Sequence, residues 1–304
     1  MNKKFNILIL GSEGFIGSNA VEYFLAKGFS VYSADIVLKQ EKDYILINPE
    51  RSDFSTIFIQ HQFDACINAT GAANVQLSFE YPSIDYILNT ANVFEILNSI
   101  REHNPSCKFM NLSSAAVYGN PVELPINENS MLKPLSPYGR HKMYSEQICS
   151  EFYEYFGVQT ISARIFSAYG RGLKKQLFWD LYKKVEAADK EIEVFGTGKE
   201  TRDFIYIRDI LSALECILFN SKFDGSAINV ASGIETTIKN AVEIFVKAYK
   251  KNIEVKFGGN PKIGDPLNWR ADISLLNSFG FQAEFSLERG INDYCKWLQE
   301  GRLL

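Results

Sequence analysis

The stretch ILILGSEGFIGSNAVEYFLAKG, Ile7 to Gly28, decides how the chain is read. Four apolar residues run into a loop holding Gly11, Gly14 and Gly17, and a segment of helical period follows. A short apolar run closed by glycine reads as a buried parallel strand, and the spacing after it as a helix packed on that strand. Glycines in such a turn let a pyrophosphate approach the backbone amides at the helix N-terminus, where the helix dipole favours negative charge. They suit a plain tight turn equally well, so the loop needs a second signal. It comes at the end of the next apolar run, SVYSADI, where the Asp35 carboxylate stands in place to accept both hydroxyls of an adenosine ribose. A carboxylate there repels a 2'-phosphate, no arginine follows it, and only Lys39 is near, so NAD is preferred to NADP. Helix capping is the other use for Asp35.

Outward from this loop the first half keeps alternating short apolar runs with helical segments, the pattern of βαβ units. Strands are expected at Asn6 to Leu10, Ser30 to Asp35, Ala65 to Ala69, Lys108 to Ser113 and Thr160 to Ile165. Helices are expected at Phe15 to Lys27, Ile84 to His103 and Pro137 to Phe156, the last opened by Ser136 as N-cap and Pro137 in its first turn. The fold class is therefore α/β, a doubly wound parallel sheet. Beyond Gly170 the pattern loosens, with helices expected at Ile238 to Lys250 and Leu287 to Leu298. The expected division is residues 1–170 for the dinucleotide, with 204–231 returning to that unit, and 171–203 plus 232–304 as a smaller C-terminal substrate-binding domain.

Composition limits the partners. The 304 residues are 46% hydrophobic, enough for a large core, and 32 basic against 36 acidic residues leave a net charge of -4. Nothing in that balance announces nucleic acid or an anionic membrane, so small molecules are the expected ligands. Cys66, Cys107, Cys149, Cys216 and Cys295 are scattered without metal-ligand spacing, and no metal is expected. The apolar run near the N-terminus is too short for a secretory signal and no run is long enough for a transmembrane helix, so a cytoplasmic setting is expected.

In SPYGRHK, Tyr138 lies in the first turn of a helix and Lys142 four residues on, so one helix face carries both. A free tyrosine titrates near pH 10, so a tyrosine base working near pH 7 needs its phenolate stabilised by roughly 4 kcal/mol. A nearby ammonium, the positive helix end and an oxidised nicotinamide together could supply that. The spacing alone is cheap: Tyr23 and Lys27 repeat it inside the first helix, without a cap, and read as packing. Tyr138 differs because it follows the strand ending in NLSSAAVYG, Asn111 to Gly119, and strand C-termini line the ligand crevice of an open parallel sheet. Ser114, at that strand end, is placed to bond a substrate hydroxyl and the phenol, and a turn role is its alternative.

Taken together, the glycine pattern, Asp35, INATG, Asn89, SSAAVYG, SPYGRHK, RIFSAYG, GTGKETRDFIYIRD and the tail GDPLNWRADISLLNSFGF resemble the extended short-chain dehydrogenase/reductase family, the NAD-dependent nucleotide-sugar epimerases and dehydratases. That resemblance implies a Rossmann fold, Ser114, Tyr138 and Lys142 as catalytic residues, and a homodimer built from the helices near Ile84 to His103 and Pro137 to Phe156. The face with Ile87, Phe94 and Leu97 could equally be core. It implies Gly11, Gly14, Phe15, Ile16 and Gly17 on the pyrophosphate, Asp35 on the ribose, Ala69, Thr70 and Gly71 along the cofactor, and Asn89, Tyr138 and Lys142 at its nicotinamide end. For a nucleotide-diphosphate sugar it implies Ser114, Ser167, Lys174, Arg202, Lys262 and Arg270. Arg171, Lys175 and Phe178 also fall near the expected nucleotide, and an ion pair with Asp203 or Glu200 is the plainer use of Arg202.

Two departures from the family pattern shape the expected chemistry. Ser167 stands where an asparagine usually helps hold the substrate. Ala115 and Ala116 stand where the 4,6-dehydratases carry an acid pair, and methyl groups move no protons, so water elimination by that route is not expected. The expected activity is oxidation and reduction at C4 of a nucleotide-linked hexose, foremost a 4-epimerase. A 4-keto-sugar reductase or 4-dehydrogenase is the alternative, and a catalytically silent NAD-binding protein the remote one.

Overall fold

The computed structural model describes residues 4–48, 52–249, 252–259, 264 and 266–301. In chain order these form β1 (Asn6–Leu10), α1 (Phe15–Ala26), β2 (Ser30–Asp35), β3 (Tyr44–Leu46), α2 (Ser55–Gln60), β4 (Ala65–Asn68), α3 (Val75–Glu80), α4 (Pro82–Tyr86), α5 (Asn92–His103), β5 (Lys108–Ser114), α6 (Pro137–Phe156), β6 (Thr160–Ile165) and β7 (Ser167–Tyr169). After them come α7 (Gln176–Ala187), β8 (Glu191–Val194), β9 (Thr201–Tyr206), α8 (Ile207–Asn220), β10 (Asp224–Val230), β11 (Glu235–Thr237), α9 (Ile238–Tyr249), β12 (Glu254–Phe257), α10 (Ser274–Ser278) and α11 (Leu287–Glu300).

Seven strands build one parallel sheet in the order β10-β6-β5-β4-β1-β2-β3. Its central strands are apolar on both faces because helices cover both. The alternation along β1 shows this: Ile7 and Ile9 join the core under α1 and α8, whereas Leu8 and Leu10 join the one under α2 and α5. The strand order reverses between β1 and β4, and both ends there carry loops that line a crevice. β10 pairs parallel with β6, with one shift of register between Asp224 and Ala227, so the chain returns to the large sheet after an excursion through β7, β8 and β9. That excursion and the C-terminal part make a three-stranded sheet, β11-β9-β7, and a two-stranded one, β12-β8.

Several elements differ from the sequence expectation for local reasons. β4 stops at Asn68 rather than Ala69, because the Asn68 side chain accepts from Thr70 N at 3.2 Å and Thr70 Oγ1 at 2.6 Å and turns the chain. The helix expected over Ile84 to His103 begins at Pro82 and carries one wide turn, Ile87–Ala91, in which Asn92 N reaches back five residues to Ile87 O. β3 and α2 are short and were not expected. Lys250 lies outside the described residues.

Candidate active site

The glycine loop joins β1 to α1 at the crevice. Gly11 has φ +77°, and a Cβ on it would lie 2.7 Å from the Ala69 carbonyl carbon, so only glycine lets the loops after β1 and β4 touch. A Cβ on Gly17 would lie 2.0 Å from Gly11 O, which is why α1 can start directly against the turn. Gly14, the N-cap, brings no side-chain cap to α1, and no acidic residue sits in its first turn. The first-turn amides of Phe15, Ile16 and Gly17 are thus left for an anion. Ser12 Oγ beside them is buried without a hydrogen-bond partner among the described residues. At the end of β2, the Asp35 carboxylate accepts from Glu13 N at 2.9 Å and Ile36 N at 2.7 Å, which ties it to the glycine loop and leaves lone pairs for ribose hydroxyls. Lys39, four residues after Asp35, is held by Glu13 at 2.9 Å, so that cation is engaged. Across the crevice Gly71 meets Asn89: a Cβ there would lie 2.4 Å from Asn89 Oδ1 and 3.4 Å from Lys142 Nζ. Asn89 is 1% exposed, and among the described residues its Oδ1 has no partner. A cradle cleared of side chains, bare helix amides, a carboxylate at the second strand and two buried orphan polar atoms fit a dinucleotide such as NAD.

Tyr138 and Lys142 share one face of α6. The helix starts where it does because Ser136 Oγ accepts from Gly139 N at 3.1 Å and Pro137 pre-sets the first turn. Gly139 sits so close to the preceding loop that a Cβ would fall 2.6 Å from Ala116 O. The small-residue bend Ala115–Val117 is therefore the floor on which α6 begins. Ser114, at the last position of β5, accepts from Ala116 N at 3.2 Å, and its hydroxyl is near enough to the Tyr138 phenol to favour the ionised form. Burial pushes that phenol up to about 12, with a smaller downward pull from Ser114 opposing it and the Asp85 charge adding to the rise. Lys142 is pushed the other way, to about 8, by burial first and with Asp85 and Glu146 opposing. Its Nζ donates to Leu112 O at 2.9 Å, so it is pinned between β5 and the crevice. Both shifts follow from removing water from the charged form. Without a bound cation the phenol stays protonated, so the depression that sequence reasoning required has to come from what enters the crevice.

Ser113 and Tyr118, neighbours in the same segment, serve a buried network instead. Ser113 Oγ donates to Glu146 at 2.5 Å, Glu146 holds Arg164 through both oxygens, and Arg164 Nη1 donates to the Tyr118 hydroxyl at 2.8 Å. Tyr118 OH donates in turn to Asn229 on β10 at 2.7 Å. The repeat at Tyr23 and Lys27 is likewise not at the crevice: both bind Glu215 of α8.

On the other side of the crevice the predicted substrate residues divide. Arg202 on β9 donates to Thr201 O at 2.8 Å and Leu267 O at 3.2 Å, with its guanidinium over the Trp269 ring at 5.7 Å. Asp203 and Glu200 face elsewhere, Glu200 onto Thr197. Asp203 is fully buried and accepts from Ser232 N, Ser232 Oγ, Gly233 N and Ala271 N at 2.7–3.1 Å. It staples the tail to the sheet, and burial raises its carboxyl to about 6 against those hydrogen bonds. The tail crosses the loop after β5, with Trp269 Nε1 on Gly119 O at 3.0 Å and Ile126 N on Arg270 O at 2.8 Å. Half-buried Arg270 and Ser167 of β7 flank this seam. Lys262 lies outside the described residues. Arg171 is committed to Asp293 at 2.8 Å through Nε and Nη2, and Phe178 is buried in the core at 3% exposure, so neither is available to a nucleotide. Lys174 and its neighbour Lys175 are both exposed, and the Lys175 charge makes a small contribution to the lowering of the Lys142 ammonium. Sequence reasoning missed Asp85 and His141. Asp85 stands four residues before Asn89, the helical spacing that would have paired them.

The chain belongs to the NAD dependent epimerase/dehydratase family, whose model matches residues 7–231. It is 26% identical over 314 residues to a putative UDP-glucose 4-epimerase of Methanocaldococcus jannaschii, covering 96% of this chain and 98% of that protein. The uncharacterized UDP-glucose epimerase YtcB of Bacillus subtilis is also 26% identical, over 311 residues, with 96% and 97% covered. In fold it is similar to the UDP-glucuronic acid 4-epimerase of Bacillus cereus, solved with UDP-glucuronic acid and NAD, at TM-score 0.87 and 22% identity over 97% of this chain and 99% of that one. A UDP-N-acetylglucosamine 4-epimerase from Methanobrevibacter ruminantium gives TM-score 0.87 at 23% identity, over 98% and 99%.

Proposed function

We propose that this protein is an NAD-dependent 4-epimerase of a nucleotide-diphosphate hexose, with Ser114, Tyr138 and Lys142 as its catalytic residues. The observation that carries the reading is the meeting of these three side chains at the C-terminal end of β5, across the crevice from the glycine loop, with Ala115 and Ala116, and not an acid pair, directly after Ser114. Bound NAD supplies the hydride acceptor and donor at the sugar's C4. Tyr138 takes the proton of the 4-hydroxyl and returns it, Ser114 holds that oxygen, and Lys142 brings positive charge against the phenol and the ribose. Gly11, Gly14, Phe15, Ile16 and Gly17 receive the pyrophosphate and Asp35 the adenosine ribose. Ala69, Thr70, Gly71 and Asn89 line the way between.

Residues 1–170 with 204–231 form the cofactor unit in this reading, and 171–203 with 232–304 hold the nucleotide sugar. Arg202, Arg270 and Lys175 meet its phosphates, with Ser167 nearer the sugar. The names of the relatives, UDP-glucose, UDP-glucuronic acid and UDP-N-acetylglucosamine 4-epimerases, favour a uridine nucleotide. A homodimer through α4, α5 and α6 belongs to the same reading. Ile84, Ile87 and Phe94 are exposed there, while Leu97 is buried in the core. Light scattering in solution at twice the chain mass is the expected outcome.

Mass spectrometry of the supernatant from heat-denatured protein, followed by incubation with UDP-glucose and UDP-N-acetylglucosamine, tests the function. Released NAD and C4 epimers formed without added NADH are expected. An empty site that consumes NADH with a 4-keto sugar nucleotide would replace the epimerase by a reductase.

A further inference from the structure

Asp85 and His141 lie beside the proposed site with no part in the chemistry above. Asp85, on α4, is 0% exposed. One of its oxygens accepts from Asn89 Nδ2 at 3.0 Å, and the other lies 2.6 Å from His141 Nδ1. A carboxylate only accepts, so it dictates which end of the Asn89 amide faces it. The amide nitrogen is turned to Asp85 and, at 3.3 Å, to Ala72 O. The amide oxygen is thereby turned away, towards Gly71 and Lys142, and it is the buried acceptor left without a donor. An acceptor stripped of water and left unmatched costs stability, so its persistence points to a donor that arrives with a ligand. The backbone adds an independent observation. The wide turn Ile87–Ala91 surrounds Asn89, and such turns recur where a helix bends its pattern to serve a site. It also lets Thr90 face inward beside Asn89, where Thr90 Oγ1 donates to His141 O at 3.0 Å.

We propose that Asp85 is a positioning residue of the cofactor site: it locks the Asn89 amide with its oxygen towards the crevice, ready to accept a hydroxyl or amide N–H of the bound dinucleotide. His141, one residue before Lys142, anchors Asp85 to the helix that carries Tyr138 and Lys142. This rests on the NAD reading above and adds a residue to it that the motifs do not contain.

The test is a double-mutant cycle read by calorimetric titration of NAD. Asp85→Asn can donate as well as accept, so the Asn89 amide is free to turn over, and the NAD dissociation constant is expected to rise about tenfold. In an Asn89→Ala background the same Asp85→Asn change is expected to alter it by less than about twofold, because the residue it acts through is gone. An equal factor in both backgrounds would mean that Asp85 only supports the fold, and overturns the proposal. If Asp85→Asn does not fold, His141→Phe replaces it in the same cycle, with a rise of about threefold expected only where Asn89 is present. Equal factors there overturn the proposal too. A wild-type protein that binds no NAD fails a different test: it removes the cofactor reading itself, and this inference with it.

Discussion

At the scale of single residues, the site is defined by two groups pushed in opposite directions by one cause. Burial raises the Tyr138 phenol to about 12 and lowers the Lys142 ammonium to about 8. For Lys142 the folded state releases its proton near pH 8 while the unfolded chain keeps it to about 10.5, so between those values the unfolded state binds more protons. Stability contributed at this position therefore rises with pH across that window. Lys142→Met should lose the rise, and thermal melts of wild type and variant from pH 7 to pH 10 check it. Above pH 10 the sign reverses for Tyr138, whose folded form holds its proton longer than the unfolded chain does. Tyr138→Phe removes the proposed proton-transfer group but little of the packing. Its turnover should fall by about a thousandfold while NAD is still released from the denatured variant. Retained activity would sink the assignment of Tyr138. These residues were legible in the sequence because a capped helix start, Ser-Pro, distinguishes Tyr138 from Tyr23. Asp85 was not, since an acid inside a helix reads as surface until the fold shows it buried.

At the scale of elements, α1 and α6 owe their starting points to different devices. α6 begins on a side-chain cap, whereas α1 begins on close backbone approach. Gly17→Ala would force a Cβ within 2.0 Å of Gly11 O, where backbone must move. Loss of NAD binding together with a lower melting temperature is expected, measured by titration and calorimetry. A variant that bound NAD as wild type does would show that the loop is not the pyrophosphate cradle. Periodicity revealed where the long helices lie, but not the wide turn inside the segment from Pro82 to His103. An inserted residue shifts the helical phase by only part of a turn, and a sequence pattern tolerates that. Ile87, in that turn, and Phe94 of α5 are exposed, whereas Leu97, three residues further along α5, is buried, a split that spacing alone left open.

At the scale of the whole molecule, Asp203 links three segments distant in sequence: β9, the turn at Ser232 and Gly233, and the tail at Ala271. Asp203→Asn would point an amide N–H2 at groups that are themselves donors. A stability loss of about 2 kcal/mol in urea unfolding is expected, with the KM for the nucleotide sugar rising more than the dissociation constant for NAD. If both change equally, the staple does not govern the substrate side alone. The sequence by itself determined the parallel sheet, and it singled out the glycine loop with Asp35 and the trio Ser114, Tyr138 and Lys142 that are proposed as the site, because those readings rest on local rules of apolar period, turn geometry and helix capping. Tertiary structure alone decided that Arg171 is spent on Asp293, that Phe178 is core, and that Asp85 stands behind Asn89. Each of these depends on which distant segment packs against the residue, and burial, which sets the charge of Lys142 and Tyr138, is a property of the whole fold and not of any stretch of it.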